Sequence, residues 1–177
     1  MKPNKKSPAH HSDKLCELVC SNSLKAARKE SAAGMLKEEM RMLDSLLMKC
    51  ADKSKVPAGG ALAVDREIFS NLVNDEINNN PNITVISEEV MEIPDGITII
   101  ASGPLTSDLL SDKIKTMFGD SLSFYDAAAP IVKFDTVDMN KAFFASRYDK
   151  GDGDDYINCP MNKEEYDNFY EALVSAE

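Results

Sequence analysis

The class of fold is indicated first by the run Ile97-Thr98-Ile99-Ile100-Ala101-Ser102-Gly103. A short and mostly apolar run of this kind is typical of a strand that is buried on both faces of a sheet. The turn signal Ile93-Pro94-Asp95-Gly96 precedes it, and Gly96 supplies a position with positive φ. Because a second strand pattern occupies 83–90, the sequence predicts a strand, a turn and a strand across this region.

Helical periodicity lies on both sides of these strands. Apolar residues at helical spacing predict one helix over 30–51, with Gly34 as a weak point. Asp65 is placed to cap a second helix that runs to about Asn78. Two more helices are predicted over 109–118 and 163–176. The last helix has an apolar face that we expect to be buried, formed by Tyr166, Phe169, Tyr170, Leu173 and Val174.

Short strands are predicted in the last third of the chain, at 123–125, 129–132 and 142–146. The acidic run at 149–155 superficially suggests a calcium loop. Its acidic spacing does not match an EF-hand and no glutamate closes it, so a turn is the preferred interpretation.

Charge is distributed unevenly along the chain. The 177 residues carry 20 basic and 30 acidic side chains, which gives a formal net charge of −10. The first 29 residues hold seven basic side chains against Asp13 and Glu17, so the remainder is strongly acidic. Because an acidic surface repels phosphate, this composition argues against DNA as a partner and against a broad nucleic-acid platform. The basic end either contacts RNA or is a solvated terminus, and we favour the second.

The sequence gives no sign of export or of a membrane partner. No apolar run approaches the about 20 residues of a membrane span, and the basic N-terminus lacks the apolar core of a secretory signal. The four cysteines, at 16, 20, 50 and 159, show no disulfide pattern. We therefore expect reduced thiols in a cytoplasmic protein.

Cys20 is the candidate reactive residue. It lies in the stretch Glu17-Leu18-Val19-Cys20-Ser21-Asn22-Ser23-Leu24, where small hydrogen-bonding residues favour a turn over a packed core. Such a turn can expose a cysteine and favour its reactive form, although an inert thiol is the more common case. A metal site that combines Cys16 and Cys20 with the histidines at 10 and 11 would need a helix here and a fourth ligand, and we disfavour it.

Glycines mark a second candidate site. Gly59 and Gly60 lie in the small-residue stretch 56–64, which is too flexible for a helix. Adjacent glycines allow either a tight turn or close approach of the backbone to a ligand. The chain contains no Ser/His/Asp signature, no zinc pattern and no phosphate-binding glycine motif.

Several stretches in order carry a shared resemblance: Met1-Lys2-Pro3 with Pro8-Ala9-His10, then 17–24, 56–66, 101–107, 124–127, 129–132, 146–148 and 156–161. Together they resemble the folate- and flavin-dependent tRNA uracil-5-methyltransferase family, TrmFO. The match covers nearly the whole chain, and the set of motifs is specific. Family members also contain an earlier glycine-rich turn and a later second essential cysteine. The resemblance therefore implies an internal fragment that is inactive alone.

The resemblance implies an α/β fold and a specific reaction. Residues 1–104 would be part of a Rossmann-like FAD-binding domain, and 105–177 an incomplete inserted α+β domain. In the complete enzyme, NADH or NADPH reduces FAD, and 5,10-methylenetetrahydrofolate supplies the carbon that methylates uridine C5 in the tRNA T-loop. The expected partners are tRNA and folate.

Site residues are also implied by the resemblance, residue by residue. Cys20 matches the catalytic cysteine that lies against the flavin. The cofactor-binding positions are a small-residue loop, a strand residue near the adenine and a strand-end triplet that passes the flavin. They are Pro57, Ala58, Gly59, Gly60, Val90, Ala101, Ser102 and Gly103.

The sequence is also compatible with two other functions. One is flavin-dependent modification of wobble uridines by a related family, and the other is a non-catalytic fragment or interaction domain. Cys159 is interpreted as a buried thiol in a turn. Arg147, Tyr148 and Tyr156 either contact RNA or serve the surface and the fold.

Overall fold

The structure is a computed structural model, and it describes residues 6, 9–103, 106–119, 132–146 and 153–176. The strand predictions at 123–125 and 129–132, most of the turn at 149–155, and Arg147 and Tyr148 lie outside these residues. None of the helices in the described ranges is long and apolar enough to cross a membrane.

A three-stranded antiparallel sheet organises the first part of the chain. Its strands are β1 (Ser23–Ala26), β2 (Lys55–Val56) and β3 (Ala61–Val64), in the order β1-β3-β2. The central strand β3 is apolar along its whole length, and Leu62, Ala63 and Val64 are buried. The prediction that 56–64 avoids helix is therefore confirmed.

Three helices accompany this sheet: α1 (Ala32–Met42), α2 (Leu46–Lys53) and α3 (Arg66–Asn78). The core between them and β3 contains Met48, Cys50, Ala51, Leu62, Val64, Phe69 and Val73. Asp65 caps α3 as predicted, because its Oδ1 accepts hydrogen bonds from the N–H groups of Glu67 (3.0 Å) and Ile68 (2.9 Å). Two orphan donors of the first turn are satisfied in this way.

The single helix predicted over 30–51 is wrong, because the chain breaks between α1 and α2. Asp44 has a φ of 60°, which interrupts the helical backbone. Aspartate tolerates this left-handed conformation better than most residues. The break lets α2 turn back, and Arg41 of α1 then pairs with Asp52 of α2 at 2.7 Å.

The two strands predicted at 83–90 and 97–103 are also wrong. This region has no regular sheet structure in the described chain, and Ile86, Ile97 and Ile99 are exposed. A strand needs a neighbouring backbone to complete its hydrogen bonds, and no described segment pairs with these residues. The turn between them is supported, since Gly96 has a φ of 103°.

The second half of the chain contains α4 (Asp108–Phe118), a short 3-10 turn at Phe134–Thr136, and an antiparallel pair formed by β4 (Phe143–Ala145) and β5 (Tyr156–Asn158). The strand predicted at 142–146 is thus confirmed.

The last helix, α5 (Lys163–Val174), begins with a capping box between Asn162 and Glu165. Its existence is confirmed, but the burial predicted for its apolar face is wrong, since all five of those side chains are exposed. No described segment packs over this face. The mixed α/β class is confirmed overall, while the division into domains at 104 stays a prediction.

Candidate functional site

The turn that carries Cys20 is held at both ends by the first sheet and α3. Asn22 exchanges two 3.0 Å hydrogen bonds with Val64 at the end of β3: its Nδ2 donates to the Val64 carbonyl, and its own carbonyl accepts from the Val64 N–H. The Arg66 guanidinium donates to the carbonyl of Cys20 at 3.2 Å. Cys20 itself is exposed. The predicted exposed turn is therefore present, with its backbone fixed.

Serine side chains shape the backbone that follows. Ser21 Oγ accepts a hydrogen bond from the N–H of Ser23 at 3.0 Å, and Ser23 Oγ accepts one from the N–H of Lys25 at 3.3 Å. Lys25 has a φ of 67°, and the pairing between β1 and β3 is irregular at this point. Such a bulge re-aims the side chains of an edge strand.

The glycine loop 57–60 joins β2 to β3 beside the Cys20 turn. The Ala61 N–H donates to the Ala58 carbonyl at 3.0 Å, and Gly59 has a φ of 54°, which favours glycine. The Gly60 carbonyl accepts from the Ala27 N–H at 2.9 Å, so the loop is attached to the end of β1.

A cavity of about 550 Å³ lies between these two segments. Its wall combines residues 21–23 with Ala58 and Gly60, and Tyr156 of β5 lines it as well. Lys25 and Arg28 add positive charge. We call this space the thiol-side cavity, because Cys20 directly precedes Ser21 of its wall in sequence; Cys20 itself is not among the lining residues. The structure thus brings the predicted loop residues Ala58 and Gly60 to the segment that carries the predicted thiol.

Other predicted cofactor residues lie at a different place. Val90 and Ser102 line a second cleft of about 350 Å³ together with His10 and Asp13. Ser102 Oγ lies 2.6 Å from Thr106 Oγ1, which donates to the carbonyl of Gly103 at 2.7 Å, while Ala101 is exposed beside them. No described residue lines both spaces, so the predicted site divides into two parts.

Of the other three thiols, Cys50 is buried, whereas Cys16 and Cys159 are exposed like Cys20. Burial raises the pKa of Cys50, and desolvation raises the pKa of Cys16, whose side chain lines an apolar groove with Leu18 and Phe69. A raised pKa keeps a thiol in its less reactive protonated form. Cys159 is exposed, so its predicted burial is wrong.

The disfavoured metal arrangement gains no support. Cys16 has a φ of 52°, so 16–20 is not a helical turn that would align two thiols. Among the described residues, no group of three or more His, Cys, Asp or Glu side chains is placed to hold a metal ion.

Some contacts of this region were not predicted from the sequence, although Tyr156 was named there as a residue for RNA or for the surface and the fold. Asp155 and Tyr156 reach the glycine loop from almost a hundred residues away, where no local pattern signals a contact. Lys37 is buried and donates to the carbonyls of Ala26 (3.2 Å) and Ala33 (3.0 Å), and desolvation lowers its pKa. It fixes the end of β1 against α1.

These features define a mixed α/β protein in which the turn that carries an exposed cysteine shares a cavity with a glycine loop. Residues 7–177 match the family model described as glucose inhibited division protein A, and the chain belongs to this family.

Comparison with curated relatives points to a more specific group of proteins. The chain is 60% identical over 178 residues to methylenetetrahydrofolate–tRNA-(uracil-5-)-methyltransferase TrmFO of Bacillus licheniformis and 61% identical over 179 residues to the protein of that name from Acetivibrio thermocellus. The corresponding protein of Geobacter sulfurreducens is 57% identical. Each comparison covers 100% of this chain and 41% of the relative. The resemblance drawn from the motifs is confirmed, and the chain spans well under half the length of these relatives.

Proposed function

We propose that this chain is part of an enzyme that methylates C5 of uridine in the T-loop of tRNA, with FAD and 5,10-methylenetetrahydrofolate. The observation that carries the proposal is 56–61% identity, along the whole chain, to relatives that are named for methylenetetrahydrofolate-dependent tRNA uracil-5 methylation. Cys20 is exposed and directly precedes Ser21 of the cavity wall, which supports a catalytic role for this thiol.

The residues present fit a flavin cofactor. Small side chains at Ala58, Gly60, Ala61 and Ala63 leave the thiol-side cavity open, and a Cβ added at Gly60 would reach only the Arg28 side chain, at 3.5 Å. The cations Lys25 and Arg28 suit an anionic ligand.

In this proposal, the loop formed by Pro57, Ala58, Gly59 and Gly60 lies near the cofactor. Ala101, Ser102 and Gly103 contact the flavin, and Val90 lies near the adenine. When bound, FAD supplies reducing equivalents, which it takes from NADH or NADPH.

The wider assignments are part of the same proposal. Residues 1–104 form part of a Rossmann-like FAD domain and 105–177 belong to an inserted domain, in a cytoplasmic protein whose partners are tRNA and folate. Modification of wobble uridines is not favoured, because the matched relatives named above all carry the uracil-5-methyltransferase name.

A chimera tests the activity. The matching 41% of the Bacillus licheniformis relative is replaced by this chain, and 5-methyluridine in tRNA is measured with FAD, methylenetetrahydrofolate and NADPH. We expect methylation in the parent chimera, a loss of about 100-fold or more in Cys20→Ser, and near-parental activity in the control Cys159→Ser. A chimera that binds FAD but forms no 5-methyluridine refutes the proposal.

The 177-residue chain alone provides a separate test of the non-catalytic alternative. Flavin fluorescence is measured while the chain is titrated with FAD. We expect weak or absent binding, and tight binding with quenched fluorescence would exclude a fragment that has no flavin site.

A further inference from the structure

Two side chains at the start of β5 hold the glycine loop: Tyr156, its first residue, and Asp155, which directly precedes it. The Asp155 carboxylate accepts a hydrogen bond from the N–H of Gly59, and the Tyr156 hydroxyl donates to the carbonyl of Ala58 at 2.8 Å. These contacts span 96 and 98 residues of sequence. They join the β4–β5 pair to the loop between β2 and β3.

The two hydrogen bonds act on a single peptide unit. The Ala58 carbonyl and the Gly59 N–H are the two polar groups of the same planar peptide, and in a trans peptide they point in opposite directions. Asp155 and Tyr156 therefore hold this peptide from both sides, and we call their two hydrogen bonds the clamp. Adjacent residues in extended backbone present side chains to opposite sides, which suits Asp155 and Tyr156 to these two contacts.

The turn already holds one side of this peptide, because the Ala61 N–H donates to the Ala58 carbonyl at 3.0 Å, but the N–H on the other side belongs to a flexible glycine. Gly59 has a φ of 54°, and glycine populates positive and negative φ about equally. Rotation of the Ala58–Gly59 peptide would turn the carbonyl of Ala58, a lining residue of the thiol-side cavity, away from the Tyr156 hydroxyl and the Ala61 N–H. A carboxylate that accepts from the N–H and a hydroxyl that donates to the carbonyl favour one orientation over the other.

We propose that Asp155 and Tyr156 are positioning residues, which fix the orientation of the Ala58–Gly59 peptide and so make the second sheet part of the thiol-side cavity. The importance of this cavity for flavin rests on the proposed function above. The clamp on the peptide stands on its own contacts.

Backbone NMR of the 177-residue chain tests the clamp directly. Asp155→Ala removes the acceptor, so we expect hydrogen exchange at the Gly59 amide to rise about tenfold or more. Asp155→Asn keeps a side-chain oxygen and should restore part of the protection. Asp154→Ala is the matched control, because it removes the same charge from the neighbouring exposed residue.

Tyr156→Phe removes only the hydroxyl and keeps the ring. We expect the ¹³C resonance of the Ala58 carbonyl to move, while the control Tyr166→Phe, on the exposed face of α5, leaves it unchanged. If Gly59 exchange in Asp155→Ala equals that of the parent or of Asp154→Ala, or if the Ala58 carbonyl does not respond to Tyr156→Phe, the proposal is overturned. These measurements need no flavin, so a failure of the chain or the chimera to use FAD would affect only the proposed function.

Discussion

Replacing Gly34 by alanine tests whether close backbone contact sets the position of α1. Helix propensity alone predicts that Gly34→Ala stabilises the helix by about 1 kcal/mol. In the structure, however, a Cβ at this position would lie 1.8 Å from the carbonyl oxygen of Arg28 and 2.4 Å from its carbonyl carbon. Since both are backbone atoms, neither can rotate away as a side chain would. We therefore expect the opposite sign, a loss of stability.

The size of the loss depends on what the displaced backbone holds. The Arg28 carbonyl accepts from the N–H of Ser31 (3.1 Å) and from its hydroxyl (2.8 Å), and Ser31 Oγ caps α1 by accepting from the Gly34 N–H at 3.1 Å. Overpacking costs about 1–3 kcal/mol, and loss of an N-cap about 1 kcal/mol. After the gain in propensity, we expect the free energy of unfolding to fall by about 2 kcal/mol. The melting temperature should fall by about 4–8 °C.

Urea unfolding followed by circular dichroism measures this change. Gly60→Ala is the control, because its Cβ would make only an ordinary contact with the Arg28 side chain, and we expect a change within about 0.5 kcal/mol. A Gly34→Ala protein as stable as the parent would refute the steric argument, and one more stable by about 1 kcal/mol would support the argument from propensity.

Two further results are expected. Arg41 holds the pKa of Asp52 below its ordinary value through hydrogen bonds of 2.8 and 2.7 Å. The pair therefore stabilises the fold at any pH above the ordinary pKa of aspartate. This stabilisation is lost as the pH falls through the lowered pKa of the folded state. Because this carboxylate is partly exposed, denaturation should show that Asp52→Asn costs about 0.5–1 kcal/mol at neutral pH and nothing in strong acid, and an equal cost at both would contradict this. Iodoacetamide should label Cys20 before Cys50, whose pKa is raised by burial, as measured by peptide mass spectrometry; the reverse order would count against the site.

Features that are determined by a few consecutive residues could be predicted from the sequence. The Asp65 cap and the turn at Gly96 each need only the chemistry of a few consecutive residues. The break at Asp44 was not visible, because the apolar period continues through Leu43 and Leu46 and masks one residue of left-handed backbone.

Strands and buried faces depend on partners that a local pattern does not contain. The run 97–103 has the composition of a buried strand, yet its side chains are exposed in the described chain, where no segment pairs with it. The apolar face of α5 is likewise exposed, although its pattern is that of a buried face. Hydrophobic pattern indicates which residues favour burial, whereas burial itself requires a second surface. The hydrogen bond from the Gly59 N–H to the Asp155 carboxylate could not be predicted either, because its two partners are 96 residues apart in sequence.

Three glycines, at 34, 59 and 60, occur for different physical reasons, although the sequence alone does not distinguish them. Gly34 is required because a side chain would collide with the Arg28 backbone, and Gly59 is favoured by its positive φ. Gly60 has neither constraint, since a methyl group there fits beside the Arg28 side chain. A loss of flavin affinity in Gly60→Ala, without a loss of stability, would therefore report on the ligand alone. This separates the requirements of the fold from those of the site at a single residue.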